Sequence, residues 1–204
     1  MKENMIITIS RQYGTGGREI GKKLSERLGI AYYDREILAR ASKETGFSEE
    51  MFDRLDKRAT NSFLYSLTMF GSTGTNGMTL TDQLYIAQSK VLREFANSGP
   101  CVIVGRCADH VLREYPNRYD FFIHGSLEAR IRRIQSHGDY VLNGKSPEAA
   151  LEKMDKQRST YYNYYTGKVW GKCDHYDLCI NAGRIGVDNS VDVILHYINA
   201  VQNT

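Results

Sequence analysis

A glycine-rich turn follows the first apolar run of this 204-residue chain and opens its first helical pattern. The turn reads Tyr13-Gly14-Thr15-Gly16-Gly17-Arg18-Glu19. Glycines allow successive backbone N–H groups to point inward, and the N-terminus of a helix adds a positive partial charge. We therefore predict that these residues bind the phosphate of a cofactor, with close packing of strand against helix as the alternative.

The turn departs from the loop that holds the phosphates of nucleoside triphosphates in many α/β proteins. Arg11 stands where the first glycine of that loop is expected, and Gly17 stands where its lysine is expected. The lysine normally reaches the β- and γ-phosphates. We expect the side chain of Arg18 to lean back and supply the missing charge, and the carboxylate of Glu19 to oppose it.

Several arginines follow the ends of predicted strands or lie on the helices beside them. A guanidinium group is planar, keeps its charge and binds phosphate oxygens through paired hydrogen bonds. Transfer of a phosphoryl group requires mainly positioning and positive charge. The candidates are Arg40, Arg106, Arg130, Arg132, Arg133 and Arg158. The alternative is a set of solvated helix faces with weak surface ion pairs.

Five short apolar runs must position these side chains, and each is typical of a buried strand. The runs are Met5 to Ile9, Ala31 to Tyr33, Cys101 to Val104, Phe121 to His124 and Tyr176 to Ile180. Helical patterns separate them, with Gly29 expected to end the first helix and Pro147 expected to start another. The alternation predicts an α/β protein with a parallel sheet covered on both faces, and ligands beyond the carboxyl ends of its strands.

The chain length predicts one domain over residues 1–204, with room for a small insertion. A helical insertion at about residues 34–98 interrupts the alternation, and from Asp34 to about Gln83 it has no core strand. Within it, the small polar residues 71–77 predict a mobile loop or the edge of a lid. An insertion at this place is suited to covering a substrate.

Composition and charge exclude several classes of protein. The net charge is +3, which is too weak to indicate nucleic-acid binding by itself. The apolar run near Met5 is too short for a secretory signal, and no stretch approaches the roughly 20 apolar residues of a membrane span. We therefore expect a cytoplasmic protein without membrane partners.

The four cysteines are Cys101, Cys107, Cys173 and Cys179, and their spacing matches no common zinc motif. We expect Cys101 and Cys179 to be buried thiols on strands. A cluster of Cys173, His175 and Cys179 is the alternative, but we expect no metal ligands in the chain.

Five further pieces carry a family resemblance through their order and spacing. They are Asp34-Arg35-Glu36-Ile37-Leu38-Ala39-Arg40, Val104-Gly105-Arg106, Glu128-Ala129-Arg130-Ile131-Arg132-Arg133, Asp155-Lys156-Gln157-Arg158 and Tyr176-Asp177-Leu178-Cys179-Ile180-Asn181. Over nearly the whole chain they resemble the cytidylate kinase-like family, a group of P-loop nucleoside monophosphate kinases with an altered phosphate loop. The resemblance implies a three-layer fold with strand order 2-3-1-4-5, a helical insertion that binds the monophosphate, and a short lid at about residues 134–165.

The resemblance also implies roles for the residues that match the family's motifs. ATP and Mg²⁺ are the implied cofactors, and a cytidylate-like monophosphate is the implied acceptor. The implied substrate-binding residues are Asp34, Arg40, Arg106, Asp155 and Arg158. Together with the charge argument for Arg18, it makes the catalytic candidates Arg18, Arg130, Arg133 and Arg158.

Departures from the family pattern bear on turnover. The lysine is absent, Leu151 replaces an arginine, and the segment Tyr161-Tyr162-Asn163-Tyr164-Tyr165 replaces a Pro-Leu pair. These tyrosines either stack on a base or pack a lid helix. We expect a kinase-like enzyme with weak or absent cytidylate kinase activity beside measurable nucleotide binding. The alternative is a catalytically weak nucleotide-binding or regulatory protein that retains the fold; the oligomeric state is left open.

Overall fold

Five β-strands pair in parallel at the centre of the computed structural model, which describes residues 4–45, 78–138, 140, 142 and 144–203. The strands are β1 (Ile6–Arg11), β2 (Ala31–Tyr33), β3 (Cys101–Val104), β4 (Arg118–His124) and β5 (Leu178–Asn181). Their order in the sheet is β2-β3-β1-β4-β5. This order confirms the parallel five-stranded sheet that the sequence predicted.

Three strands differ from the predicted runs. β1 covers Ile6–Arg11 rather than Met5 to Ile9, because its pairing with β4 continues to Arg11, which lies opposite Ile123. β4 begins at Arg118 rather than Phe121, because the polar residues at its start are paired inside the protein: Asp120 accepts hydrogen bonds from Arg118 at 2.8 Å and from the Thr8 hydroxyl at 2.6 Å. β5 begins at Leu178 rather than Tyr176, since the carboxylate of Asp177 accepts a hydrogen bond from the Asp120 N–H at 2.6 Å just before the ladder starts.

Helices cover both faces of the sheet. In the described residues they are α1 (Gly17–Leu28), α2 (Glu36–Thr45), α3 (Leu80–Asn97), α4 (Ala108–Val111), α5 (Leu127–Ser136), α6 (Pro147–Thr166) and α7 (Ala182–Gln202), with a 3₁₀ turn at Cys173–His175. Gly29 caps the end of α1, as predicted. Pro147 begins α6, where the Ser146 hydroxyl accepts the Ala149 N–H, so this start is also confirmed.

Alternating side chains of the strands form two cores. On one face, Ile7 and Ile9 of β1 pack with Leu24 of α1 and Ile194 of α7. On the other face, a second cluster joins β1 and β3 to α2, α3 and the segment after β3, through Ile6, Ile37, Leu92, Ile103 and Leu112. Because successive strand residues point to opposite faces, this arrangement builds three layers.

The insertion is described only at its two ends, α2 and α3. The predicted loop at residues 71–77 lies outside the described residues. The carboxyl ends of β1, β2 and β3 lead into the glycine-rich turn, Asp34 and Gly105, respectively. Because parallel strands end at a common edge, these three segments are neighbours there.

Candidate functional site

The turn between β1 and α1 presents a row of backbone N–H groups. Gly14 and Gly16 have φ angles of 79° and 80°, a left-handed conformation that suits glycine. Within the described residues, the N–H groups of Gly14 to Arg18 donate to no protein acceptor, and Gly14 to Gly17 are buried. The Ile20 N–H makes the first backbone bond of α1, to the Gly16 carbonyl at 2.9 Å. Since buried N–H groups are almost always paired, this row is suited to binding an anion.

Residues of α5 and α6 contact the turn at Tyr13 and the strand end before it, which we call the outer side of the turn. Asp155 accepts the Tyr13 N–H at 2.7 Å through Oδ1 and Nη1 of Arg130 at 2.5 Å through Oδ2. The same Arg130 nitrogen lies 3.3 Å from the Tyr13 carbonyl oxygen. Arg158 donates to the Arg11 carbonyl at 2.8 Å and lies over the Tyr13 ring. The structure thus joins two predicted site residues, Arg130 and Asp155, to the backbone of the turn and a third, Arg158, to the end of β1 that leads into it.

Arg133 covers the turn at Gly16. A Cβ atom added to Gly16 would lie 2.9 Å from Cζ of Arg133. Arg133 forms an ion pair with Glu19 and donates through Nε to the Tyr140 hydroxyl at 2.9 Å. The charge of Glu19, which the sequence analysis expected to oppose a phosphate, is therefore balanced by Arg133, with Lys23 3.6 Å away.

Arg18 lies against the end of β2. Its Nε is 2.8 Å from Oδ2 of Asp34, and its side chain is 49% exposed. Asp34 is buried, and its N–H donates to the Glu36 carboxylate at 3.1 Å. The structure brings Arg18 and Asp34 together at the edge of the sheet, and the role of Arg18 in charge supply stays a prediction.

Arg11 is the residue of this site that the sequence analysis did not assign. Its side chain is 12% exposed, and Oδ1 of Asp34 lies 3.7 Å from Nη2. Within the described residues, its buried Nε has no hydrogen-bond partner. Burial and, next, the charge of Arg158 lower the pKa of Arg11 to about 9. A sequence signal was available, since a large cation at the first-glycine position accompanies a glycine at the lysine position.

The corner after β3 adopts a strained backbone. Gly105, Arg106 and Cys107 have φ angles of 84°, 59° and 54° in succession. A non-glycine residue in the left-handed region is uncommon, and such strain concentrates at functional sites. Arg106 follows Gly105, where an added Cβ atom would lie 2.1 Å from Nη1 of Arg11, so this corner lies at the same edge of the sheet as the turn.

Arg40 lies on the α2–α3 side of the molecule. Its Nη2 is 3.0 Å from a carboxylate oxygen of Glu94, and its guanidinium lies 5.6 Å from the centre of the Phe95 ring. These contacts hold Arg40 against α3. Its predicted role in binding the acceptor stays a prediction.

The tyrosines of α6 pack against neighbouring helices. Tyr165 stacks on Tyr85 of α3 with 4.0 Å between ring centres, and its hydroxyl donates to Asp82 at 3.2 Å. The buried Tyr162 donates to Asp109 at 2.6 Å, and burial raises the pKa of that carboxyl. These contacts favour packing over the alternative of base stacking.

In the described residues, no three His, Cys, Asp or Glu side chains lie close enough together to bind a metal ion. The hydroxyl of Thr15, a side-chain oxygen within the turn itself, donates to the Gln12 carbonyl at 2.8 Å. The described residues therefore do not fit a magnesium site built by the protein.

The prediction that Cys101 and Cys179 are buried thiols is confirmed only for Cys101. Cys101 is buried, which raises the pKa of its thiol to about 12, whereas Cys179 is only partly buried because β5 lies at the edge of the sheet.

In the part of the chain that the structure describes, every helix is too short or too polar to cross a membrane.

The strand order and the glycine-rich turn after β1 define the fold of the P-loop kinases. A shikimate kinase from Bacteroides thetaiotaomicron shares it, with a TM-score of 0.58 at 13% identity, over 96% of this chain and 98% of that one. The match extends to a family: the chain belongs to the cytidylate kinase-like family, whose pattern covers residues 6–184. This identification confirms the resemblance seen in the sequence motifs.

Two further proteins are similar over nearly their full lengths. The cytidylate kinase of Methanosarcina barkeri (strain Fusaro / DSM 804) is 25% identical over 191 residues, which cover 93% of this chain and 94% of that protein. The crystal structure of an uncharacterized protein from Eubacterium ventriosum ATCC 27560 has a TM-score of 0.70 at 30% identity, over 97% of this chain and 99% of that one. The chain therefore has a kinase-like, nucleotide-binding fold.

Proposed function

We propose that this protein is a phosphotransferase that binds ATP in the β1–α1 turn. Its acceptor is a nucleoside monophosphate of the cytidylate type or a related small phosphorylated molecule. The observation that carries the proposal is the row of N–H groups from Gly14 to Arg18, which has no protein acceptor in the described residues and lies beside the buried cation of Arg11. A polyphosphate supplies both the acceptor oxygens and the negative charge that this arrangement lacks.

The acceptor side of the proposed site is the edge formed by the ends of β2 and β3. Arg106 follows β3, which is the direct neighbour of β1 in the sheet, and the preceding Gly105 lies against the guanidinium of Arg11. The strained backbone at Arg106 supports a functional role for this corner. We assign the acceptor phosphate to Arg106, and we retain Asp34 and Arg40 as candidates for the rest of the acceptor.

Asp155, Arg130 and Arg158 take a different part in the proposal. Their charged groups contact the turn itself, so they position the backbone that binds ATP. Arg133 does the same at Gly16. The lid at about residues 134–165 includes α6 and is proposed as a unit that closes over the turn; residues 139, 141 and 143 of it lie outside the described part.

The proposed reaction breaks the bond between the γ-phosphorus of ATP and its bridging oxygen. A bond forms between that phosphorus and an oxygen of the acceptor phosphate, and ADP leaves. The chain contributes position and positive charge, which are the main requirements of phosphoryl transfer. Mg²⁺ enters with the phosphates of ATP in this proposal, because the described residues offer it no ligand set.

The experiment that tests this function combines binding with product detection. ATP binding is measured by calorimetry, and a panel of CMP, dCMP, UMP, AMP and GMP is incubated with ATP and Mg²⁺ and analysed by ³¹P NMR. We expect ATP to bind and a diphosphate to form more slowly than the usual kinase range of about 1–100 s⁻¹. Failure of wild-type protein to bind ATP would overturn the proposal.

A second candidate function follows from the glycine at the lysine position. Gly17 provides no charge, and Arg18 is held by Asp34 at 2.8 Å. These observations favour a nucleotide-binding or regulatory protein that retains the fold with little turnover. ATP binding without transfer to any acceptor of the panel would select this second function over the first.

A further inference from the structure

We infer that Arg11 contacts the phosphates of the donor and supplies the positive charge of the missing lysine, from the opposite end of the turn. The inference rests on the proposed function, since it names a phosphate-contacting residue of the same site. Three structural observations carry it: the path of the Arg11 side chain, the residues that make room for this path, and the charges that surround the guanidinium.

The first half of the path crosses Gly17. A Cβ atom added to Gly17 would lie 2.7 Å from Cβ and 2.8 Å from Cγ of Arg11, which is closer than real Cβ atoms approach. The aliphatic part of Arg11 therefore fills the space in which a lysine at position 17 would begin. Arginine at position 11 and lysine at position 17 exclude each other in this backbone.

The second half of the path crosses Gly105. A Cβ atom added to Gly105 would lie only 2.1 Å from Nη1 of Arg11, and the φ angle of Gly105 is 84°. The guanidinium therefore lies between the turn after β1 and the corner after β3, with the end of β2 next in order. In the proposed function this is the region between the donor phosphates and the acceptor phosphate held by Arg106.

The charges around Arg11 are mostly positive. Arg158, Arg18 and Arg106 all act on its guanidinium, whereas Asp34 is the carboxylate that opposes them. Asp34 is shared, because its Oδ2 lies 2.8 Å from Arg18 and its Oδ1 lies 3.7 Å from Arg11. A buried cation with so little compensation is costly for the protein alone, and a bound phosphate would provide the missing negative charge.

The test is a double-mutant cycle between positions 11 and 17, with ATP affinity measured by calorimetry. We expect Arg11→Met to weaken ATP binding about 10- to 100-fold, in keeping with the loss of a hydrogen bond to a charged group. Transfer should fall about 10²- to 10³-fold if the same charge acts in the transition state. Arg113→Met, which removes an exposed arginine paired with Glu114, is the matched control and should leave both values unchanged.

The rescue variant distinguishes a phosphate contact from a structural role. We expect Gly17→Lys alone to lower the melting temperature, because its Cβ overlaps Arg11. The same substitution combined with Arg11→Gly should fold well and regain ATP affinity relative to Arg11→Gly alone. In the absence of nucleotide, Arg11→Met should keep or raise the melting temperature, because it removes a poorly compensated buried charge.

Three results would overturn the inference while leaving the proposed function intact. The first is an Arg11→Met variant with wild-type ATP affinity and transfer. The second is a loss of both in Arg18→Met that is larger than the loss in Arg11→Met. The third is a rescue variant that folds but gains no ATP affinity over Arg11→Gly. By contrast, a wild-type protein that binds no ATP would reject the proposed function itself.

Discussion

The two sides of the β1–α1 turn use their polar groups differently. On the outer side, Asp155 contacts both the Tyr13 N–H and Arg130, and Arg158 donates to the Arg11 carbonyl. On the inner side, the N–H groups from Gly14 to Arg18 find no acceptor within the described residues. One side is therefore satisfied by the protein itself, and the other is suited to a ligand.

This difference separates arginines that look alike in the sequence. Arg130 and Arg158 have backbone carbonyls or a carboxylate as partners, so their charges stabilise the turn. Arg11 is about as buried as Arg130, and in the described residues each has a buried Nε without a hydrogen-bond partner. The carboxylate beside Arg11, however, is 3.7 Å away at Asp34, whereas Asp155 lies 2.5 Å from Arg130. The closeness of the protein partners, rather than the position in a motif, indicates which arginine is available to a phosphate.

The largest expected effect is a loss of stability when a contact on the outer side of the turn is removed. Asp155→Ala leaves Arg130, whose side chain is 11% exposed, without its carboxylate partner. Removing one member of a buried ion pair typically costs about 3–5 kcal/mol, so we expect the free energy of unfolding to fall by that amount. Urea denaturation followed by circular dichroism measures it.

Two further variants sharpen this first prediction. Asp155→Asn retains an oxygen for the Tyr13 N–H and should cost less than Asp155→Ala. Asp174→Ala breaks an exposed pair with Lys172 and serves as the control, with little expected change. If Asp155→Ala changed stability no more than this control, the outer side would not be the structural side of the turn.

The next largest effect is expected on the binding of the acceptor, at the corner after β3. Arg106→Ala should weaken the binding of CMP by about 1.5–3 kcal/mol, the range for hydrogen bonds to charged groups. Calorimetric titration with CMP measures the change, and Arg113→Ala on the nearby surface should leave it unaltered. Affinity for CMP that is equal in Arg106→Ala and wild type would remove Arg106 from the acceptor site.

The smallest expected effect is a difference in stability between two substitutions at this corner. Arg106 has a φ angle of 59°, which costs an L residue about 1–2 kcal/mol and glycine almost nothing. After the entropy cost of glycine, we expect Arg106→Gly to be more stable than Arg106→Ala by about 1 kcal/mol, although both bind CMP weakly. Equal unfolding free energies for the two variants would show that the backbone here stores no strain.

Most of the fold was predictable because strands and helices carry periodic signals. The runs at Ala31–Tyr33 and Cys101–Val104 match β2 and β3 residue by residue. The start of β4 was missed because Arg118 and Asp120 look like loop residues, and only their pairing with each other and Thr8 explains their burial. The four-residue helix α4 is too short to produce a period.

The sequence predicted where the candidate site lies, but it did not predict which of its residues contact one another. Arg18 and Asp34 were both selected, but their mutual contact depends on how β2 ends beside α1. Arg11 was recognised only as a departure from the loop pattern, because its path across Gly17 and Gly105 requires segments that are distant in sequence. Residue types indicated the chemistry, whereas the three-dimensional packing decided which charge lies where.

The central claim is that the inner side of the β1–α1 turn binds the phosphates of a nucleotide. The most direct measurement is a titration of ¹⁵N-labelled protein with ATP, following the backbone amides of the turn by NMR. Our account predicts saturable shifts centred on Gly14 to Arg18, which lose amplitude when the outer side is broken by Asp155→Ala. ATP that leaves these amides unchanged in the folded wild-type protein would contradict it.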